Sequence, residues 1–391
     1  MTTIIKLTLP LLCLFAIYAL FVFSERNGLF PLIRTANESR ILPGGGGDKV
    51  PLRVVFTGIR PLDHVLASIA PFFWPAVDGS TPELSLYAFE LMGSCGAAWV
   101  LVMLEGWRRG NKWGVVAFPS IFGILVQTLS YGLTSPLYFT LHLWTSSTAT
   151  RPDARTISVP RAVSNALPFV FVAAYILPTV AMCLPAPSVV SFDAKQAFLA
   201  AWQPSPVYIS FLAMVADLLF SRSGYLARGD DENDEQASSL RALRCVYAFA
   251  FACAAIPHVA AWTISLTAVL FPVLFNPDYV AALHPRWVFL NALPWSDLRV
   301  SSVGEGALRF LQWDNVIGSM GVLLWAVAVH ATAHREAGVR MSWVGLGVKI
   351  GLLALAAGPA GAAVELMWER DEMVFSRGGS KQRRIDEKKL Q

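Results

Sequence analysis

Eight stretches of this chain, near 7–23, 84–104, 115–133 (extensible to 145), 165–184, 204–221, 243–271, 313–333 and 343–365, are long, apolar and almost uncharged. About 20 such residues make a helix that crosses the lipid core of a bilayer. No water is present there to satisfy an open backbone, so runs of this kind fold as α-helices. Composition agrees. The AVILMFWYC set makes up 55% of the 391 residues and charged residues only 15%, against about 25% in a soluble protein. A soluble enzyme, a disordered chain and a nucleic-acid binder are excluded, and a net charge of +4 is too small to imply an acidic partner. The expected fold is all-α: a polytopic membrane protein of eight to nine transmembrane helices, several of them proline-broken.

The ninth candidate, 62–76, is short, carries Asp63 and His64, and is interrupted by Pro71 and Pro75. It reads as a tilted span, a re-entrant segment or an interfacial helix. The first run lacks a small-x-small cleavage site and reads as an uncleaved anchor. The chain divides into 1–59, an anchor helix and a flexible linker containing PGGGGD at 43–48; 60–367, the membrane helical domain; and 368–391, a basic cytosolic tail. Nine spans with a cytosolic tail put 20 of the 31 Lys and Arg on the cytosolic side, in 24–61, 105–113, 185–203, 272–312 and the tail. That is the positive-inside bias. The sequon Asn37-Glu38-Ser39 argues against it, since it is usable only in the lumen. Lys388 and Lys389 resemble a dilysine retrieval signal, which points to the endoplasmic reticulum with a cytosolic C-terminus.

Ionisable residues inside a membrane are costly and mark function by default. Seven fall within the expected spans: Asp63, Glu90, Asp217, Arg244, Asp314, Lys349 and Glu365. Glu90 and Asp217 are flanked by apolar residues on both sides. Asp314 opens its expected span and reads either as an acid or as a helix cap. Asp78 follows the broken segment. Glu105, followed by Arg108 and Arg109, reads first as a helix-end ion pair, and His258 beside Pro257 as a partner for a freed carbonyl. His142 completes the set. The run Asp230-Asp231-Glu232-Asn233-Asp234 fits a magnesium-binding DDxxD pattern, but it has no second acidic motif and no fixed scaffold. The five cysteines have no metal-ligand spacing, so no metal and no cofactor are expected. A phosphate-binding glycine loop, a GxSxG elbow and HExxH are absent.

Trp74, Trp99, Trp144, Trp202, Trp262, Trp313 and Trp325 lie in or near the spans, several beside these ionisable groups. A ring face stabilises a desolvated cation by about 2 kcal/mol. Burial favours the protonated form of a carboxyl group, which then donates to an alkene or epoxide. An aromatic cavity with one or two such acids suits carbocation chemistry.

The blocks FFWPAVDGS (72–80), LEGWRRGNK (104–112), SPLYFTLHLWTS (135–146) and FLQWDNVIGSMG (310–321) resemble the fungal integral-membrane meroterpenoid cyclases. The similarity covers most of residues 60–335, and is nearest to the longer type of the macrophorin and ascochlorin/ascofuranone pathways. The resemblance implies a metal-independent terpene cyclase that protonates the terminal alkene or epoxide of a farnesylated aromatic or quinone-type precursor. Its partners would be the isoprenoid substrate and the bilayer, with a prenyltransferase and oxidases nearby in the same membrane. The expected catalytic residues are Glu90, Asp314, Asp217 and Asp78; His142, Trp74, Trp313 and Glu105 are the expected substrate contacts. Nine spans set Glu90 and Asp314 in opposite halves of the membrane, and group Asp78, Glu90, His142 and Asp217 on the luminal side. The rival reading is a membrane transporter that exports a secondary metabolite, although no repeat symmetry is visible.

Overall fold

The computed structural model describes residues 2–44, 49–222 and 232–389, without the side chains of 221–237 and 378–389. Part of the glycine linker and residues 230 and 231 lie outside that description, as do the side chains of 232–234, Lys388 and Lys389. Twelve helices carry the fold: α1 (Thr2–Asn27), α2 (Leu29–Ser39), α3 (Arg60–Val77), α4 (Pro82–Trp107), α5 (Pro119–Thr128), α6 (Tyr131–Thr145), α7 (Arg161–Met182), α8 (Phe192–Trp202), α9 (Ser205–Arg222), α10 (Glu232–Leu270), α11 (Val303–Glu336) and α12 (Trp343–Lys389). Among the described residues the only β pairing is one bridge, Ile41 to Pro51. The fold is all-α.

Six helices are long and apolar enough to cross a membrane, and seven if α8 and α9, bent by 58°, form one span. The expectation of eight to nine is not met, for two reasons. Helix α3 is not among the six, and the stretch 115–145 is two shorter helices. Helix α4 is buried along most of its length and α11 is enclosed on nearly every side. Around them pack α1, α6, α10 and α12, with side chains such as Leu101, Val322 and Ala363 wholly enclosed.

Contacts fix how these helices align. Tyr87 donates to the Gln312 carbonyl (3.3 Å), and further along His142 joins Glu105 (2.8 Å) to Trp325 (3.0 Å). Tyr138 donates to the Val102 carbonyl (3.4 Å) and Ser135 to Gly318 (3.2 Å). Helices α4, α6 and α11 therefore run parallel. The chain gets from the end of α4 to the start of α6 by way of α5, which starts beside Gly106 at Pro119 and ends beside Asp314 at Ser130. The bundle thus has two levels, one at Glu90 and Asp314, the other at Glu105 and His142, about 22 Å apart along α4 at ~1.5 Å per residue.

This corrects the expected sidedness. Glu90 and Asp314 share one level, while His142 belongs to the other. Helix α3 packs at the first level: Asn37 of α2 donates to the Ser68 carbonyl (3.2 Å) and Phe72 meets Phe310 edge-on (5.2 Å). Segments 24–61, 185–203 and 272–312 emerge at the Asp314 level, whereas 105–113 and the tail emerge at the other.

Helix α12 doubles back. Gly358 (φ 67°, ψ 172°) interrupts it before Pro359. Lys349 then pairs with Glu369, residues that a straight helix would hold about 30 Å apart. The tip of this hairpin rests on α10, where a Cβ at Gly358 would sit 3.4 Å from His258 Nδ1. Of the seven prolines expected to break helices, Pro71, Pro75, Pro136, Pro168 and Pro257 stay inside them, Pro178 lies within α7, and Pro119 stands at the start of α5.

Candidate active site

Helix α6 starts at Tyr131 because Ser130 caps it, its hydroxyl accepting the Leu133 N–H at 3.0 Å. First-turn amides of a helix have no partner within it. One of them, Gly132 N–H, donates to Asp314 Oδ1 at 2.7 Å. Ser130 and the Tyr131 amide lie beside the same carboxyl group. Only glycine fits this junction, since a Cβ at residue 132 would stand 2.9 Å from the Asp314 carbonyl oxygen. Asp314 is no helix cap: α11 begins at Val303, where Ser302 accepts the Glu305 N–H.

Asp314 lines a cavity of about 300 Å³ reached by every helix from α1 to α9 and by α11. Among its 31 lining residues it is the single Asp, Glu, Lys, Arg or His, and twelve of the others are aromatic. Trp99, Trp202 and Tyr175 face it from α4, α8 and α7, Phe72 and Phe310 from beside Asp314. Phe72, Phe73 and Phe310 form an edge-to-face series with centroids 5.0 and 5.2 Å apart. The Thr134 hydroxyl and the Trp99 indole N–H on its walls have no hydrogen-bond partner among the described residues, and the Tyr131 hydroxyl lies beside Ser135 and Ser319.

The second level holds a fully buried ion network. Glu105 Oε1 accepts from Arg108 Nε (2.7 Å) and Arg370 Nη1 (3.2 Å). Its Oε2 meets His142 Nε2 and the Thr148 hydroxyl, both at 2.8 Å. Arg108 and Arg370 also bind Asp371, at 2.9 and 3.0 Å, and Tyr247 donates to Asp371 (2.8 Å). Two carboxylates and two guanidinium groups balance. The Trp325 indole N–H can only donate, so its 3.0 Å bond to His142 Nδ1 leaves the histidine proton on Nε2, pointed at Glu105. His142 is therefore held neutral and committed.

The expected site residues are thus separated by the fold. Asp314 alone of the eight lines the cavity. Glu90 Oε1 lies 2.7 Å from His258 Nδ1, so His258 serves a carboxylate, not a freed carbonyl. Asp78 closes the turn after α3, accepting Ser80 N–H (2.8 Å) and Oγ (2.7 Å). Asp217 is half-buried on α9, away from the lining. Trp74 sits in a separate apolar cluster with Leu42, Leu199 and Trp202. Trp313 donates to the Ala292 carbonyl (2.8 Å) and packs on Phe15. Glu105 and His142 belong to the ion network. The boundary at 368 falls within packed structure, since Arg370 and Asp371 are wholly buried. Sequence reasoning missed Ser130, Tyr131 and Gly132. The one available signal was a serine two residues before a glycine inside an apolar run, which is a helix-start pattern.

A second hollow, about 720 Å³, lies between the end of α11 and the second arm of α12, lined by His330, His334, Glu365, Glu369 and Glu372. Lys349 and Arg244 already neutralise two of these glutamates.

Known proteins resemble this chain over nearly its whole length. Residues 5–375 match the model of the CtvD domain. The terpene cyclase ctvD of Aspergillus terreus is 32% identical over 93% of this chain and 98% of its own. The terpene cyclase ascI of Acremonium egyptiacum is 34% identical, covering 95% and 92% of the two chains. The terpene cyclase penA of Penicillium crustosum is 32% identical, covering 94% and 96%. No solved structure matches.

Proposed function

The chain belongs to the CtvD-domain family of fungal terpene cyclases, and on that premise we propose that it is a membrane-embedded, protonation-initiated cyclase of a farnesylated aromatic or quinone-type precursor, with Asp314 as the acid. One observation carries the assignment: a single carboxyl group in an aromatic-lined cavity of about 300 Å³, a size at the lower end of ligand pockets, about 300–1,000 Å³. The Asp314 proton passes to the terminal alkene carbon, or to the oxygen of a terminal epoxide. The cation is captured by successive internal double bonds, each forming a ring C–C bond. Loss of one proton, to the carboxylate left behind or to water, ends the sequence. The product of the alkene or epoxide is an isomer of the substrate. Trp99, Trp202 and Phe310 line the path of the charge, and an aromatic face turned to a desolvated cation is worth about 2 kcal/mol. The ionised Glu105 is spent on two arginines and serves the scaffold. No metal enters this scheme.

We further propose residence in the endoplasmic reticulum with the Glu105 level facing the cytosol. The exposed Arg109 and Lys112 and the basic tail both emerge there, and Asn37 then faces the lumen. An exporter reading has no support from the family.

The test uses microsomes containing only this protein. Farnesylhydroquinone or its terminal epoxide should give a cyclic isomer with EDTA present, and Asp314→Asn should abolish conversion while the protein still accumulates. Conversion that EDTA stops, or that survives Asp314→Asn, overturns the acid assignment.

A further inference from the structure

The second hollow, about 720 Å³, shares no lining residue with the aromatic cavity. It belongs to the Glu105 level, since Arg370, next to Glu369 on its wall, reaches Glu105 (3.2 Å). The first arm of α12 is tied to it by the Lys349–Glu369 pair. That arm turns Val348, Leu352 and Leu355 outward, each more than half exposed.

The polar groups of the hollow have spent their protons elsewhere. His330 Nδ1 lies 3.1 Å from the Leu366 carbonyl, and His334 Nδ1 lies 3.1 Å from the His330 carbonyl. A carbonyl oxygen only accepts, so each Nδ1 carries the ring proton and each neutral ring offers Nε2 as an acceptor. The two ring centroids are 4.4 Å apart. His330 is only 4% exposed, and its Nε2 has no hydrogen-bond partner among the described residues. The Ser376 hydroxyl donates to the Met373 carbonyl (3.0 Å) and the Trp368 indole N–H to Glu372 (3.2 Å). Three glutamates face two cations: Lys349 pairs with Glu369 and Arg244 with Glu372. Glu365, one residue before the carbonyl that holds His330, has no ion pair among the described residues. The lining thus offers acceptors only, with one carboxylate left over.

Such a lining suits a cation that brings its own donors. A metal ion fits poorly, since no three His, Cys, Asp or Glu among the described residues are gathered as it requires. A primary ammonium carries one positive charge and three N–H donors, a match in number for Glu365 and the two imidazoles. We propose that this hollow binds a primary ammonium group, carried by an ethanolamine phospholipid or by a soluble amine. The site stands apart from Asp314 and does not depend on the cyclase reading.

Purified full-length protein in detergent is titrated calorimetrically with dihexanoylphosphatidylethanolamine, with ethanolamine and with uncharged N-acetylethanolamine. At least one of the two ammonium compounds should saturate at one site per chain, and N-acetylethanolamine should not. Tighter binding of the lipid assigns the site to a lipid head; equal or tighter binding of ethanolamine assigns it to a soluble amine. Glu365→Gln keeps the shape and removes the charge. It should weaken binding about tenfold or more, the scale of one hydrogen bond to a charged group. His334→Leu should also weaken it and takes the place of Glu365→Gln if that variant fails to accumulate. Glu336→Gln, at a nearby glutamate already paired with Arg335, should leave affinity unchanged. Saturable binding of neither ammonium compound, equal binding of N-acetylethanolamine, or a smaller loss in folded Glu365→Gln overturns the proposal.

Discussion

Replacing Glu105 by glutamine tests whether this carboxylate is scaffold or acid. The side chain keeps its shape but loses its charge and one acceptor oxygen. Oxygen Oε1 now takes Arg108 and Arg370 at 2.7 and 3.2 Å, and Oε2 takes His142 and Thr148 at 2.8 Å. Whichever way the amide turns, an N–H faces a donor, and two buried guanidinium groups share only Asp371. Removing one partner of a buried ion pair costs about 3–5 kcal/mol, because the remaining charge is stranded. That is a large part of a total stability of about 5–15 kcal/mol. Thermal unfolding in detergent should show Glu105→Gln with a clearly lowered midpoint. Adding Arg370→Gln removes the stranded charge, so the double variant should recover part of the loss, with a coupling of about 0.5–3 kcal/mol. A Glu105→Gln protein that melts with the parent yet turns over nothing would refute the scaffold role and make Glu105 the acid.

Three further outcomes follow from contacts. Gly318→Ala would put a Cβ 2.3 Å from the Tyr131 ring, pushing that ring toward the cavity; turnover should fall about tenfold or more, as for a ~1.4 kcal/mol change, in a protein that still folds. Asp63 accepts from Phe56, Thr57 and Gly58 at the start of α3, and these bonds, the Thr57 amide first, hold its carboxyl below the ordinary value of 3.8. The stabilisation is present above about pH 4 and lost as pH falls through the lowered value. Asp63→Asn should therefore be less stable than the parent at neutral pH, with the gap closing below about pH 4; a gap independent of pH contradicts this. Gly358→Ala forces a side chain into a left-handed position beside His258, a strain of about 1–3 kcal/mol, and should lower the unfolding midpoint more than Gly347→Ala, where nothing lies within 4 Å.

The helical membrane class was legible because lipid leaves the backbone no alternative, and Asp314 was legible because a carboxyl group in an apolar run is conspicuous. The break at Ser130 was not, since apolar residues run across it and only the return of α5 beside α4 shows where the chain turns. Miscounting that turn, and taking α3 as a crossing, placed Glu90 and Asp314 in opposite halves. Arg370 and Asp371 read as part of a basic tail because their partners on other elements are 124 to 265 residues away. Of the tryptophans, Trp99 and Trp202 reached the cavity while Trp74, Trp313 and Trp325 did not. Helical periodicity says which side of a helix is apolar, not which neighbour that side meets.

The ion network also has an order of manufacture. Glu105 and Arg108 leave the ribosome in the first third of the chain, Arg370 and Asp371 only near its end. Each half already carries its own counter-ion, three residues apart in α4 and adjacent in α12. Neither half is a bare charge while it waits in the bilayer. The network closes only through the second arm of α12, which packs against α10 and α11, so a chain cut before Arg370 would leave Glu105 and Arg108 with each other alone in place of four balanced charges.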